Sequence, residues 1–570
     1  MPNTKQLRAL SNKLAISIIV LVVVVAALGL YAYKAANRGA TKSTPIAPTT
    51  SAQAASSTAT APSTSPKPAS GKDTLVVAMG TDIVTLDLHD ASDNPSYMVG
   101  RMIYEYLVDL DENMHIKPGL AESWEVKNNG TVWIFHLRKG IKFQDGTPFN
   151  AEAVKANFDR LLTQNLRRSS LFKPFIKEVK VLDDYTVEFV LKKPFGAFLY
   201  HLAHGAAAIM SPKSFQNGNS PKKNPIGTGP YMLEEWVPGD RIVLKANPNY
   251  WNKAKAPHFK KVIFKIVPDD QTRMRLLQSG DVDVALRIPP QYVKELNKTK
   301  GIVVLVRPTN RVIFIGMNNL VPPLNNVLVR QALNYAVDKE AIVKNVLFGL
   351  GEPADSPIAP LTHGHCKVGP YPYDPKKAKE LLAKAGWKDR DGDGVLEDAN
   401  GKELSLTLWT PRGRYVGDYD MAQAVQQYLQ NIGIKVKLQV WEWASYVKEL
   451  FKPPSQTKRQ LFLIGWAPST GDADWGIRPL FYSKMWAPKG ANLWFYKNPE
   501  ADKLIEQQMV LLGEKRMQAL CKLQKIIFND APTIFMVVMY DTLGLKKQVK
   551  GVVYLPTEIV LLKYAYWEQG

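Results

Sequence analysis

The sequence predicts an α/β protein carried behind a single N-terminal transmembrane helix. Three observations predict it. Leu14 to Tyr33 is an uncharged, largely apolar run long enough to cross a bilayer. Residues 35–73 are rich in Ser, Thr, Pro and Ala and show no apolar periodicity. From Thr74 onward, period-two alternation and 3.6-residue periodicity follow one another, as in strands and helices taken in turn.

The run Leu14–Tyr33 rises about 1.5 Å per residue as a helix, which spans roughly the 30 Å of a bilayer core. A cleaved signal would have a shorter apolar region with a small-x-small site just after it. The nearest such site, Ala52-Gln53-Ala54, lies well downstream, and no cysteine follows the run to accept a lipid. An uncleaved signal anchor over residues 1–34 is therefore expected, with a cleaved signal as the alternative. Lys5, Arg8 and Lys13 precede the run and Lys34, Arg38 and Lys42 follow it, so flanking charge leaves the orientation open. Residues 35–73 read as a flexible tether reaching about 35 Å on average.

The net charge is +21 over 570 residues. No compact Lys/Arg stripe interleaved with aromatics is present, which argues against nucleic acid. A solvated basic surface facing anionic lipid or cell wall is expected instead. Cys366 and Cys521 are too few for a disulfide scaffold and fit no zinc spacing. Two separate buried thiols are the expected state, with a Cys366–Cys521 disulfide outside the cytoplasm as the alternative.

In the body, TLVVAM from Thr74 reads as a strand, and TVWIFHL from Thr131 alternates as a half-buried one. Residues 140–149 read as a strand and a turn. Asn150 caps a helix whose inner face is Val154, Phe158, Leu161 and Leu162. Asp374 and Pro375 open another, with Ala378, Leu381, Leu382 and Ala385 as its stripe and Gly386 closing it. Leu404, Leu406 and Leu408 alternate. Met421, Val425, Tyr428 and Ile432 then form a helical face, and Ile434 to Val440 alternate again. Such a strand–helix–strand unit is normally parallel. A further strand, Leu461–Ile464, ends at Gly465-Trp466.

Ligands of open α/β sheets sit beyond the carboxyl ends of the strands. Those ends carry Arg412 and Arg414 on one side and Trp466, Ser469, Thr470 and Asp472 on the other. If both strands share a sheet, the arginines face a loop suited to a ligand with a carboxylate and peptide-like bulk. The alternative is a pair of solvated loop arginines. Trp441, Trp443, Trp466 and Trp475 are candidates for stacking on a ligand, although most tryptophans pack into cores.

Several stretches resemble the bacterial extracellular solute-binding proteins of the peptide/nickel class, the binding components of ABC importers. They are LAESWEV with GTVWIFHLRKGIKFQDGTPFNAEAVKANFDRLL, NPIGTGPYML (224–233), VRQALNYAVDKEAIV (329–343), YPYDPKKAKELLAKAGW (371–387) and FYKNPEADKLI (495–505). The resemblance implies a two-lobed periplasmic-binding-protein fold with the solute held between the lobes. Lobe I would be 74–310, with an extra domain at 110–224 and completion by 541–570; lobe II would be 311–540. It implies a body outside the membrane, monomeric, that delivers a dipeptide, oligopeptide or glutathione-like solute to permease subunits. A sensor or chaperone-like receptor, or a binder of nickel or another metal chelate, is the alternative.

Peptide-binding members carry an acid three positions after the Gly-Trp pair, where this sequence has Ser469. The loop looks instead like the version in glutathione-binding relatives. Asp472, Asp474, or Asp93 with Asn94 after the first strand would take over the ligand ammonium, and Arg412 or Arg414 the carboxylate.

Asp389, Asp391, Asp393 and Gly394 resemble the start of a calcium loop, but position twelve is Asn400, with Glu397 and Asp398 nearby. A plain Asp/Gly turn is expected, with a structural Ca2+ as the alternative. His363, His365 and Cys366 are soft ligands in one loop, expected to be ordinary loop residues. No Gly-x-Ser-x-Gly elbow, His-Glu-x-x-His or P-loop occurs, so no enzyme is expected.

Overall fold

In the computed structural model, residues 72–568 are described. The expected membrane helix and all but the end of the expected tether lie outside them. Among the described residues no helix is long and apolar enough to cross a membrane. The end of the tether is pinned: Lys72 Nζ lies 2.7 Å from Asp283, and Asp73 pairs with Lys260.

The architecture is α/β in two lobes, joined by one eleven-stranded sheet. Its order is Lys435–Trp441, Ser405–Pro411, Leu461–Trp466, Ile302–Met317, Thr533–Lys546, Val284–Leu286, Thr74–Met79, Lys261–Ile266, Arg241–Ala246 and Tyr231–Val237, with Gly351–Pro353 also pairing the 533–546 strand. The predicted unit is parallel as expected, with Pro411 opposite Trp441. The 405–411 and 461–466 strands do share the sheet, in parallel.

Two long strands pass from one lobe to the other. Ile302–Pro308 pairs antiparallel with Tyr540–Lys546, and Val312–Gly316 pairs with Thr533–Val538. The register breaks between Pro308 and Val312. Pro308 has no N–H to give the ladder, and such irregularities re-aim side chains. Thr309, Asn310 and Arg311 are the residues re-aimed. Alternation then buries both faces of this strand: Ile313 and Ile315 join one core, Val312 and Phe314 another. On the other side, Leu75, Val77 and Met79 belong to one cluster and Ala78 to a further one.

A separate antiparallel sheet, in the order Ala121–Lys127, Val132–Leu137, Thr186–Leu191, Ile176–Asp183, carries the helix Ala151–Thr163. Asn150 caps that helix through the Ala153 amide, and Asp374 caps Pro375–Lys384, both as read from sequence. Residues 140–149 differ from expectation. They form a turn with one isolated bridge, Lys142 to Pro148, because Asp145 and Gly146 fold the chain back too early for a strand. The helix Asn94–Ile103 was not foreseen, since nearly all of it is buried and no polar face marks it.

The cysteines are a correction. Cys366 and Cys521 are half-buried and joined as a disulfide, with Cα atoms 5.1 Å apart across 155 residues. The helix Gly513–Asp530 brings Cys521 against the 354–374 loop, where Gln524 receives the Cys366 amide. Closing so long a loop suits an oxidising compartment and restricts the unfolded chain. Replacing both cysteines with serine is expected to cost about 2–5 kcal/mol, read as a fall in the thermal midpoint that dithiothreitol reproduces in the parent chain.

Candidate ligand-binding cleft

The site is built where the ends of the 405–411 and 461–466 strands meet the lobe crossing. Beyond Pro411 the chain turns sharply, and the buried Asp418 carboxylate organises the turn by accepting from the amides of Gly413, Arg414 and Tyr415. Arg412 is exposed and its guanidinium lies 4.5 Å from the Tyr419 ring. Arg414 is exposed as well, but is held between the rings of Tyr415 at 5.0 Å and Trp443 at 4.9 Å. Such cation–π contacts fix an arginine head without neutralising it. The Tyr415 hydroxyl donates to the Gly465 carbonyl at 3.3 Å, so the two predicted loops do meet.

In the second loop, Trp466 Nε1 donates to the Trp475 backbone carbonyl at 2.9 Å, fixing the Trp466 indole beside the helix Ala473–Phe481, while the Trp475 ring lies 5.8 Å from the Arg478 guanidinium. Thr470 is fully buried. Ser469 Oγ is buried without a hydrogen-bond partner among the described residues. Gly471 is left-handed, and a Cβ there would collide with the Met114 methyl, so this loop touches the opposite lobe without room for a side chain.

Asp472 and Asp474 are already engaged, against the expectation that either would hold the ligand ammonium. Asp472 caps the 473–481 helix, receives Arg516 through both oxygens at 2.8 and 2.5 Å, and has His363 Nδ1 at 2.9 Å. Burial alone would raise its carboxyl; the Arg516 charge and hydrogen bonds, with His363, outweigh this and hold it far below the usual range. Asp474 is paired with Arg478 at 2.8 Å and with Gln508 at 2.7 Å.

The crossing supplies charges that the sequence reading missed. Arg311 donates to Glu558 at 2.6 and 2.9 Å, and its guanidinium lies 5.7 Å from the same Tyr415 ring that Arg414 covers. Arg287 approaches Glu558 at 3.7 Å and Asp541 at 4.0 Å. Burial would raise the Glu558 carboxyl, but Arg311 first, then Arg287 and Arg414, bring it below its ordinary value. Burial pushes the Asp541 carboxyl up despite Arg287, and Tyr554 donates to it at 2.8 Å. Asn94 donates to Glu558 and to the Thr557 carbonyl, both at 3.3 Å. Asp93 caps the 94–103 helix through Oδ1, while its buried Oδ2 has no partner among the described residues. Asn310 donates to the Pro468 carbonyl at 2.8 Å, and its Oδ1 is likewise buried and unpartnered.

Thus Asp93, Asn94, Arg414 and Ser469, read from sequence, meet Asn310, Arg311 and Glu558, which were not. The signal available for Asn310 and Arg311 was the expected lobe boundary near residue 311, because a strand that changes lobes must line the gap between them; no local signal pointed to Glu558. His363, His365 and Cys366 do not converge on a metal: His363 faces Asp472, His365 Nε2 faces Asp355 at 2.9 Å, and Cys366 is in the disulfide. Trp441 and Trp409 pack together at 5.0 Å, with Trp441 Nε1 buried and unpartnered among the described residues.

A two-lobed α/β body with a charged cleft at a double strand crossing defines a solute-binding protein. Residues 115–487 match the model of the bacterial extracellular solute-binding proteins, family 5 middle region. The glutathione-binding protein GsiB of Salmonella choleraesuis is 36% identical over 469 residues, covering 81% of this chain and 88% of that protein. The structure of the oligopeptide-binding protein AppA of Bacillus subtilis with a nonapeptide aligns with a TM-score of 0.68 at 30% identity, over 87% of this chain and 99% of that one. NikZ from Campylobacter jejuni in complex with Ni(L-His) aligns with a TM-score of 0.71 at 27% identity, over 86% and 98%. This chain belongs to family 5 of the bacterial extracellular solute-binding proteins.

Asp472→Asn is expected to cost about 3–5 kcal/mol, because Arg516 is left as a buried unpaired charge. The folded carboxyl titrates below its unfolded value, so its stabilisation is complete above about pH 4 and is lost as pH falls below that. Urea unfolding at pH 7 and pH 3 checks both: the deficit of the variant is large at pH 7 and shrinks at pH 3.

Proposed function

We propose that the chain captures a small peptide-like solute between its lobes, and that a glutathione-like tripeptide fits it better than a free-amine dipeptide. The observation that carries this is the set of buried, unpartnered polar atoms at one seam: Asp93 Oδ2, Asn310 Oδ1 and Ser469 Oγ. Buried polar atoms without partners are costly, and a ligand entering the seam would supply what they lack. The charge balance supports an anionic solute. Arg287, Arg311, Arg412 and Arg414 stand against Glu558, Asp541 and Asp93, an excess of one guanidinium. A solute with two carboxylates and one ammonium complements that excess, Arg414 taking a carboxylate and Asp93 the ammonium. The similarity to the glutathione-binding protein GsiB agrees with this reading.

In this reading lobe I is 74–310 completed by 541–570, lobe II is 311–540, and closure is favoured because the solute touches both lobes at once. The closed body, monomeric, delivers the solute to an ABC permease. The apolar run Leu14–Tyr33 would direct the body across the membrane, holding it at the outer face if it stays as an anchor and releasing it if it is cleaved as a signal.

Calorimetric titration of the purified chain with glutathione and with short peptides is expected to give saturable binding without product formation. The double variant Arg412→Ala/Arg414→Ala is expected to bind at least tenfold more weakly, about 1.4 kcal/mol, with Arg414 carrying most of the loss. Unchanged affinity in that variant would remove both arginines from the site. Turnover of a peptide without saturable binding would overturn the transport reading.

A further inference from the structure

The Asp/Gly loop after the helix Pro375–Lys384 is more than the plain turn that the sequence suggests. Asp389, Asp391, Asp393 and Glu397 each offer a carboxylate oxygen, and these four oxygens lie within 4.8 Å of one another. A calcium ion bonds oxygens at about 2.3–2.6 Å, so its ligands lie on a sphere about 5 Å across. Four oxygens no farther apart than that can all reach one such ion, and calcium accepts the irregular geometry of a loop more readily than magnesium does.

A cluster of exposed acids alone would carry no such conclusion, and Asp389, Asp391 and Asp393 are exposed. Glu397 is different. It is 4% exposed, its Oε2 accepts the Arg390 amide at 2.8 Å, and its Oε1 finds no hydrogen-bond partner among the described residues. A buried carboxylate oxygen with no donor is costly, and its neighbours here are three more carboxylates, which makes it worse. The one arginine inside the loop does not relieve this. Arg390 donates to the carbonyls of Asp398 at 2.8 Å and Gly386 at 3.4 Å.

The backbone holds the acids in place without any cation. Asp389 accepts the amides of Gly392 and Gly394, and Asp391 and Asp393 each accept the amide two residues on. Gly392 and Gly394 are both left-handed, which keeps the turn tight enough for three alternate acids to face one point. Lys388 and Glu397 exchange backbone hydrogen bonds at 3.0 and 2.9 Å, closing the loop at its base.

We propose that this loop is a calcium site of lobe II, with Asp389, Asp391, Asp393 and Glu397 as the carboxylate ligands. Val395 stands where calcium loops of this spacing offer a backbone carbonyl. Glu397, four residues past Asp393, takes over from the terminal acid that is absent at Asn400. A bound ion ties the end of the 375–384 helix to the entry of the 405–411 strand, and so steadies the edge of the sheet that presents Arg412 and Arg414. The site stands on its own residues and does not depend on which solute the cleft takes.

The test uses the full-length chain, stripped with a chelator and titrated with CaCl2 by calorimetry, alongside thermal unfolding. One-to-one binding with Kd between about 10 μM and 1 mM is expected, with a rise in thermal midpoint at about 10 mM calcium. Magnesium at the same concentration is expected to give a smaller rise. Glu397→Gln is expected to weaken calcium at least tenfold while leaving the midpoint in chelator unchanged or higher. Should that buried variant fold poorly, Asp391→Asn, on the exposed side, gives the same readout. The proposal is overturned by the absence of both heat and midpoint shift, by an equal response to magnesium, or by unaltered calcium affinity in these variants.

Discussion

The rest of the structure depends on the paired crossing of the 302–317 and 533–546 strands. Each lobe has its own cores, yet the hydrogen-bond ladder between these two strands runs from one lobe into the other. The break at Pro308 interrupts the ladder where the lobes meet. It turns Asn310 and Arg311 toward the gap, beside Asp541 and Glu558. A joint that must flex and a surface that must recognise a solute are therefore made from the same few residues. Neither task could be changed by substitution without disturbing the other.

Electrostatics divides the neighbourhood into two kinds of ion pair. Asp472–Arg516 and Asp474–Arg478 are closed: every carboxylate oxygen is used, and the pairs serve to fix the 473–481 helix and the loop before it. The group around Glu558 is open, with more guanidinium than carboxylate and with unpartnered polar atoms nearby. The closed pairs give the loop its shape, and the open group gives the cleft its sign. A desolvated charge left without its partner is the expensive case, so the closed pairs tolerate little alteration.

Local chemistry was legible in the sequence and long-range convergence was not. The caps at Asn150 and Asp374, the parallel unit around 405–441 and the meeting of the 412–415 and 465–471 loops all followed from spacing and end signals. The family resemblance, carried by motifs along most of the body, gave the two-lobed architecture. Asp472 was misread because its partner, Arg516, lies on a distant helix that no spacing rule links to it. The disulfide was misjudged for the same reason, its cysteines being joined across a loop of 155 residues. Arg311 and Glu558 went unnoticed because each is unremarkable in its own segment. The helix at 94–103 hid because its small and apolar residues are buried on nearly every side, Gly100 lying against Leu88.

The position of the 533–546 strand has a consequence for how the molecule is made. It lies in the interior of the sheet, between strands that are synthesised far earlier, and the last described segment returns to pack on the first core. Neither lobe can complete its layer until nearly the whole chain has left the ribosome. Pairings so distant in sequence form slowly. The shared sheet is thus among the last parts of the molecule to close, and both lobes wait on the same late strand.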